Sequence, residues 1–338
     1  MPPRLVDMIR SPKWQRALQV ARPLAMLAGG VLLVWQVCRA WSFLRATTVL
    51  LDPRLGGSAF LSAFLAGALQ VVIWLVLVQG IGGHPGVAVA LEGYVLSFLP
   101  RHIPGSVWGY VGRIEWFRRY AALPTATTSM SSLLEILAIG SGTTGFAALL
   151  FLEAPIALRW VTLVLLCFAS GSIAWLAIRI GGRWWTTIQR RHDSIAERDV
   201  GIGPLPWFLA ITFVVVNWLI YGWSLLSLAM MLGFRTTRSP ADVLLAFATA
   251  FSISWLMGFL APLVPSGIGV REVALSSLLV TVAGMSNSAA TSVAVLMRVV
   301  TSAAELAWVG YGLGSAALRR RLGNRGRPPP TAGIEEEI

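Results

Sequence analysis

The chain has 338 residues, of which 56% are hydrophobic and 12% charged, and its mean hydropathy is +0.71. That balance excludes a soluble domain of any size, because the apolar runs are long enough, at about 1.5 Å per residue, to cross a hydrocarbon core of roughly 30 Å. The net charge of +12 lies in loops and tails beside those runs, as in cytoplasmic segments facing anionic lipid, and no basic soluble module is present to bind nucleic acid.

In chain order, residues 1–22 form a basic arm carrying Arg4, Arg10, Lys13, Arg16 and Arg22. The arm contains proline and runs into a long apolar stretch, so it does not read as a cleavable signal. Full spans are expected at 23–44, 59–80, 125–151, 156–178, 205–232 and 286–316. Two broken apolar segments, 87–120 and 241–283, lie between them. Turn residues mark the linkers: Asp52-Pro53-Arg54 with Gly56-Gly57, Gly82 to Gly86, and Glu153-Ala154-Pro155. The tail 319–338 is basic, then Pro-rich at Pro328-Pro329-Pro330, then acidic at Glu335-Glu336-Glu337; it is expected to be disordered and cytoplasmic.

The positive-inside bias puts the arm, the loop 179–204 and the tail on the cytoplasmic side. Six spans satisfy that only if 87–120 and 241–283 make no net crossing. Each then becomes a re-entrant hairpin, and the two enter from opposite faces. The expected fold is an all-α polytopic integral membrane protein of about six full spans plus two re-entrant hairpins. It forms one membrane domain, 23–318, with repeat halves at about 59–151 and 205–316. The alternative is eight full spans, since 241–262 is itself long and apolar, and Arg39, Arg45 and Arg54 on the expected outer side strain the six-span topology.

A repeated phrase supports the two-half reading. The run from Phe98 to Gly109 contains Pro100, Pro104 and Gly105, and the run from Phe259 to Gly269 contains Pro262, Pro265, Gly267 and Gly269. Each breaks an apolar run and leads into an alcohol-rich helix start, Thr125-Ala126-Thr127-Thr128-Ser129 or Ser286 to Ser292. Proline and glycine remove helical hydrogen bonds, and groups so freed at membrane depth must line protein or a cavity. Paired breaks in two halves are the usual pointer to a transporter's central site.

The candidate ligand-binding residues follow from this. Pro104, Gly105, Pro265, Ser266, Gly267 and Gly269 form the breaks, where helix N-termini offer free N–H groups to an anion. Arg101, Arg113 and Arg271 add charge, His102 adds a titratable donor, and Trp108 stands beside the first break. Glu92, Glu135, Arg298 and Glu305 are charges inside apolar spans, expensive unless partnered, and Glu272 follows Arg271 beside the second break. Packing alone would account for the glycines and prolines, and Arg271-Glu272 would neutralise each other. Glu135 and Arg298 are expected to meet near the pseudo-symmetry axis, and Arg298 and Glu305, two turns apart, share a helix face. Asn217, alone in an apolar span, reads as a helix–helix hydrogen-bonding residue.

Cys38 and Cys167 lie in apolar runs without metal-ligand neighbours and read as packing residues. No metal, no cofactor and no catalytic residues are expected, since neither HExxH nor GxxxxGK[ST] occurs.

The stretches Ile103-Pro104-Gly105-Ser106-Val107-Trp108 with Gly112-Arg113, and Pro265-Ser266-Gly267-Ile268-Gly269-Val270-Arg271-Glu272, resemble the lysylphosphatidylglycerol synthase transmembrane-domain family, flippase-like proteins also grouped as uncharacterised family 0104. The resemblance covers nearly the whole chain, from about Leu24 to Leu318. Ser266 departs from it, standing where the family often has Gly. It implies a lipid-translocating fold in a prokaryotic plasma or inner membrane, here without a synthase domain. The expected function is movement of an anionic or zwitterionic lipid, phospholipid or polyprenyl phosphate, between leaflets. Membrane lipids are the expected partners, with a membrane-protein partner or a second copy also open. The alternatives are an intramembrane lipid-linked transferase and a non-transporting scaffold of an envelope-biosynthesis complex.

Overall fold

The computed structural model describes residues 38, 52–100, 108–151, 155–189, 201–261 and 264–325. The whole basic arm, the expected span 23–44 apart from Cys38, and the tail beyond Arg325 lie outside the described residues. Among those described, all regular structure is helical: α1 (Pro53–Gly80), α2 (Val87–Leu96), α3 (Trp108–Tyr120), α4 (Thr125–Ala148), α5 (Ile156–Gln189), α6 (Pro204–Met231), α7 (Pro240–Phe259), α8 (Val270–Ala283) and α9 (Asn287–Arg325). Short 3-10 turns cover Leu149–Phe151 and Pro265–Gly267.

Proline sets several helix starts. Pro53, Pro204 and Pro240 occupy the first turns of α1, α6 and α7, where the missing N–H costs nothing and φ is already helical. Asp52 caps α1 by accepting from Arg54 N–H at 2.8 Å, and Ser239 caps α7 by accepting from Asp242 N–H at 3.2 Å. Gly56 and Gly57, expected in a linker, therefore lie inside α1. Other ends shift both ways: α5 runs past the expected end at Ile178 and α9 past Ala316, while α4 stops at Ala148, short of Phe151.

Five helices, α1, α5, α6, α7 and α9, are long and apolar enough to cross a membrane. Their outward faces are apolar: on α5, Val161, Leu165, Ile173 and Leu176 are all exposed. Helix α4 is of spanning length at 24 residues but is less apolar, with Ser131, Ser132, Ser141 and Thr143 buried. Those hydroxyls bond carbonyls one turn back on α4 itself, as Ser132 does to Thr128 at 2.9 Å and Thr143 to Ile139 at 2.9 Å. Self-satisfied hydroxyls let a polar sequence occupy an apolar interior.

The two broken segments differ. In 87–120, α2 has 10 residues and α3 has 13, about 15 and 20 Å at 1.5 Å per residue, both too short to cross. In 241–283, α7 has 20 residues, about 30 Å, and only α8, with 14, is short.

The most extensive packing is α1 along α6. Ser224 Oγ of α6 donates to the Ala59 carbonyl of α1 at 2.7 Å, and Gln70 donates to Tyr221 Oη at 3.0 Å. Around this pair, α4 packs on α6 and α7, and α9 packs on α1 and α2. Trp308 of α9 stacks on Phe64 of α1, with centroids 4.3 Å apart, and donates to its carbonyl at 2.9 Å.

Each broken segment closes through glycine. A Cβ on Gly93 of α2 would stand 2.3 Å from the Trp116 ring and 2.7 Å from Phe117, so α3 crosses directly on that glycine. In the second segment, a Cβ on Gly267 would come within 2.6 Å of Gly258 Cα; backbone meets backbone there.

Candidate functional site

The segment entering α8 turns through Ser266 (φ 49°, ψ 22°), Gly267 (φ 64°) and Gly269 (φ 83°). Three left-handed residues in four reverse the chain tightly, and only Ser266 pays a Cβ penalty for it. Glu272, in the first turn of α8, reaches back to accept from Gly269 N–H at 2.6 Å. Its other oxygen faces Arg298 of α9 at 3.6 Å, and Arg298 also donates to the Ser266 carbonyl at 3.3 Å. The hairpin tip is thus tied to α9 by one arginine.

The first segment carries a corresponding tie of opposite sign. Arg113 of α3 meets Glu135 of α4 at 2.5 Å, with side chains 2% and 4% exposed. Tyr94 Oη of α2 donates to the other Glu135 oxygen. The Arg113 guanidinium lies 4.0 Å from the Tyr94 ring centroid and donates through Nε to Ser97 Oγ at 3.4 Å. Here the hairpin supplies the cation and the following helix the anion; at α8–α9 the roles are exchanged.

This corrects the expected meeting of Glu135 with Arg298. Glu135 instead pairs with Arg113 of the preceding α3 and Arg298 with Glu272 of the preceding α8, each across a short connection. Arg271 and Glu272 do not neutralise each other either: consecutive residues on a helix point about 100° apart, and Glu272 turns to Arg298 and to its own helix start.

A cavity lies where the two segments converge, with about 770 Å³ of empty space, part of it open to the outside. Gly109, Tyr110 and Arg113 of α3 line one side, Trp255, Gly258 and Phe259 of α7 with Ser266 and Arg271 another, and Arg298, Thr301, Ser302 and Glu305 of α9 the third. Arg298 and Glu305 share a face, as their spacing requires. Two of the three arginines are committed, Arg113 to Glu135 and Arg298 to Glu272. Arg271 is not: its guanidinium lies 4.7 Å from the Phe251 ring centroid, and among the described residues no carboxylate lies within ion-pairing distance of it. A guanidinium carries five donors, and these face a cavity with aromatic and hydroxyl walls.

Of the expected site residues, Arg113, Ser266, Arg271, Arg298 and Glu305 line this cavity. Glu135 and Glu272 stand behind it as ion-pair partners. Pro265, Gly267 and Gly269 shape the turn beside it. Trp108 opens α3, half-exposed, and is not among the cavity's lining residues. Arg101, His102, Pro104 and Gly105 lie outside the described residues. The sequence reading missed Tyr94, Tyr110, Trp255, Phe259, Thr301 and Ser302; only the seven-residue Arg298–Glu305 spacing, extended to positions between, pointed toward the last two. Asn217 does not bridge helices: its Oδ1 is buried with no hydrogen-bond partner among the described residues.

No protein-family model matches the chain, and no curated protein matches it. The described fold is that of a helical, multi-pass membrane protein, with five helices of spanning character and a charged cavity between two broken segments.

Proposed function

We propose that this chain is a lipid transporter of the flippase-like type, moving an anionic or zwitterionic, phosphate-bearing lipid between the leaflets of a cell membrane with both termini cytoplasmic. The observation that carries the reading is Arg271: a guanidinium with no carboxylate in ion-pair contact among the described residues, influenced by Glu272 and Glu305 only at longer range, in a cavity shared by both broken segments. Keeping such a charge out of water costs several kcal/mol, and an incoming phosphate supplies the missing counter-charge in the bidentate geometry a guanidinium favours. Trp255 and Phe259 flank the same space with apolar surface suited to the start of an acyl chain.

The packing pattern supports an inverted repeat. Exchanging α1, α2, α3 and α4 for α6, α7, α8 and α9 carries α1–α6 onto itself, α4–α6 onto α9–α1, and α4–α7 onto α9–α2, and all of these pairs are in contact. The short α2 and α3 support a re-entrant first hairpin. The family resemblance of the two Pro-Gly motifs fits this reading. Coupling is left to a gradient, a partner or downhill movement.

The test is reconstitution of the full chain in liposomes with fluorescent phosphatidylglycerol, phosphatidylethanolamine and a polyprenyl phosphate, following loss of signal to a membrane-impermeant quencher. Movement of at least one phosphate-bearing lipid, abolished by Arg271→Gln, supports the reading. Absence of movement across the whole panel rejects it.

A further inference from the structure

A second cavity opens at a different end of the bundle, where α4 and α8 finish and α5 and α7 begin. It holds about 1290 Å³ of empty space, open on one side, and is lined by Leu149, Ile156, Leu278 and Val282 beside Arg159, Arg238, Asp242 and Thr281. Apolar and polar side chains thus line the same cavity.

The polar lining is short of acceptors. Arg159 Nη1 forms an ion pair with Asp242 Oδ1 at 3.4 Å, but its Nε is buried without a partner among the described residues. Asp242 is engaged elsewhere: its other oxygen accepts from Ser239 Oγ at 2.8 Å in the cap of α7. Arg238 is held by one bond, Nη1 to the Val282 carbonyl at 2.7 Å, at the C-terminal end of α8. Among the described residues, two guanidiniums, ten N–H donors between them, thus share the cavity lining with one carboxylate, itself engaged by Ser239. A bond at 3.4 Å is weak, and an under-satisfied guanidinium favours an oxyanion able to take two donors at once. The apolar lining suits a hydrocarbon chain better than a free ion.

We infer that this cavity is a binding site for the phosphate group of a membrane lipid, with Arg159 and Arg238 on the phosphate oxygens and Leu149, Ile156, Leu278 and Val282 against the first carbons of the chain. The site is separate from the central cavity, shares none of its lining residues, and does not depend on the transport reading.

A photoreactive benzoylphenylalanine in place of Thr281, in the full chain reconstituted in vesicles, reads occupancy of this cavity alone. Phosphatidylglycerol should cross-link, and diacylglycerol of the same chains should not. Arg159→Gln and Arg238→Gln should each weaken the cross-link about tenfold at fixed lipid fraction, the usual worth of a charge-assisted hydrogen bond. Arg54→Gln, at the start of α1, should leave it unchanged. Asp242→Asn, which removes the competing carboxylate, should strengthen it, an outcome that a misfolded variant would not give. Equal labelling by diacylglycerol, an unchanged cross-link in the Arg159→Gln/Arg238→Gln double variant, a weaker one in Asp242→Asn, or full competition by millimolar inorganic phosphate would each overturn the assignment. Lipid movement measured on the same vesicles reports on the transport proposal independently.

Discussion

Glu135→Gln isolates the charge in the buried tie of the first hairpin. The amide keeps the shape of the side chain and an acceptor for Tyr94 Oη, but leaves Arg113 without its anion. Arg113 is 2% exposed, so water cannot take over. What remains to it is Ser97 Oγ at 3.4 Å, the Tyr94 ring at 4.0 Å and the more distant rings of Tyr110 and Trp74, none of which replaces a carboxylate at ion-pair distance. Stranding one member of a buried pair costs about 3–5 kcal/mol. At roughly 2 °C per kcal/mol for a chain of this size, the melting temperature in detergent should fall by about 6–10 °C. Restoring neutrality with Arg113→Met in the same chain should recover most of that loss, because an apolar replacement of a buried pair is often close to neutral. Thermal unfolding followed by size-exclusion chromatography, on the two single variants and the double, measures the coupling. A Glu135→Gln loss below about 1 kcal/mol, or a double variant as unstable as the sum of its singles, would refute a desolvated pair.

Other outcomes follow from the same geometry. Arg271→Met should hold or raise the melting temperature while lipid movement is lost, because it removes a cation that gains no ion pair from the described protein; a fall of more than about 2 kcal/mol in the same thermal assay would mean that the guanidinium is structural. Ser266→Gly relieves a left-handed φ of 49° and should stabilise by roughly 0.5–1 kcal/mol, the αL penalty less the extra chain entropy of glycine. Ser266→Val should destabilise the protein, as a β-branched residue at that φ is a steric outlier. Gly93→Ala puts a methyl 2.3 Å from the Trp116 ring and should cost about 1–3 kcal/mol by overpacking; in the double variant with Trp116→Leu, the penalty should shrink.

Much of this architecture was legible before the coordinates. The long apolar runs located α1, α4, α5, α6 and α9, and the alcohol-rich stretches from Thr125 and Ser286 fell at the starts of α4 and α9. Hydropathy placed several helix ends too far inward. At Asp52-Pro53 the cap and the first-turn proline extend α1 past the end of its apolar run, and Gly56 and Gly57 are carried into the helix despite their weak propensity. The site residues divide by kind. Arg113, Arg271, Arg298 and Glu305 stood out because charge in an apolar run demands an explanation. Tyr94, Trp255 and Phe259 did not, since an aromatic side chain in such a run reads equally well as core. Pair identities were not legible. Glu135 and Arg298 have opposite signs and similar places after the two Pro-Gly breaks, which suggests a contact between them, yet α3 and α8 supply their partners instead.

That arrangement has a physical logic that the individual energies do not convey. Buried ion pairs rarely add stability over apolar packing, so Arg113–Glu135 and Glu272–Arg298 need another reason to exist. Inside a membrane no hydrophobic force favours one alignment of two apolar helices over its neighbours. A single polar contact therefore fixes register where packing alone would leave it loose. Each pair joins a short helix to the one that follows it, α3 to α4 and α8 to α9, so the two helices of each pair are pinned as one unit. The two pins differ in strength. Arg113 is sealed at 2.5 Å with a second carboxylate oxygen held by Tyr94, whereas Arg298 is 16% exposed, stands 3.6 Å from Glu272 and lines the central cavity. An anion on Arg271 would come within reach of Arg298 and compete with Glu272 for it, while Arg113 and Glu135 are too well enclosed to exchange partners. Any rearrangement on ligand binding should accordingly begin at the α8–α9 pin. Phosphatidylglycerol should then raise hydrogen exchange at the backbone amides of 266–272 and leave those of α3 unchanged. Equal changes in both hairpins would show that the two pins yield together and that the difference in their geometry has no consequence.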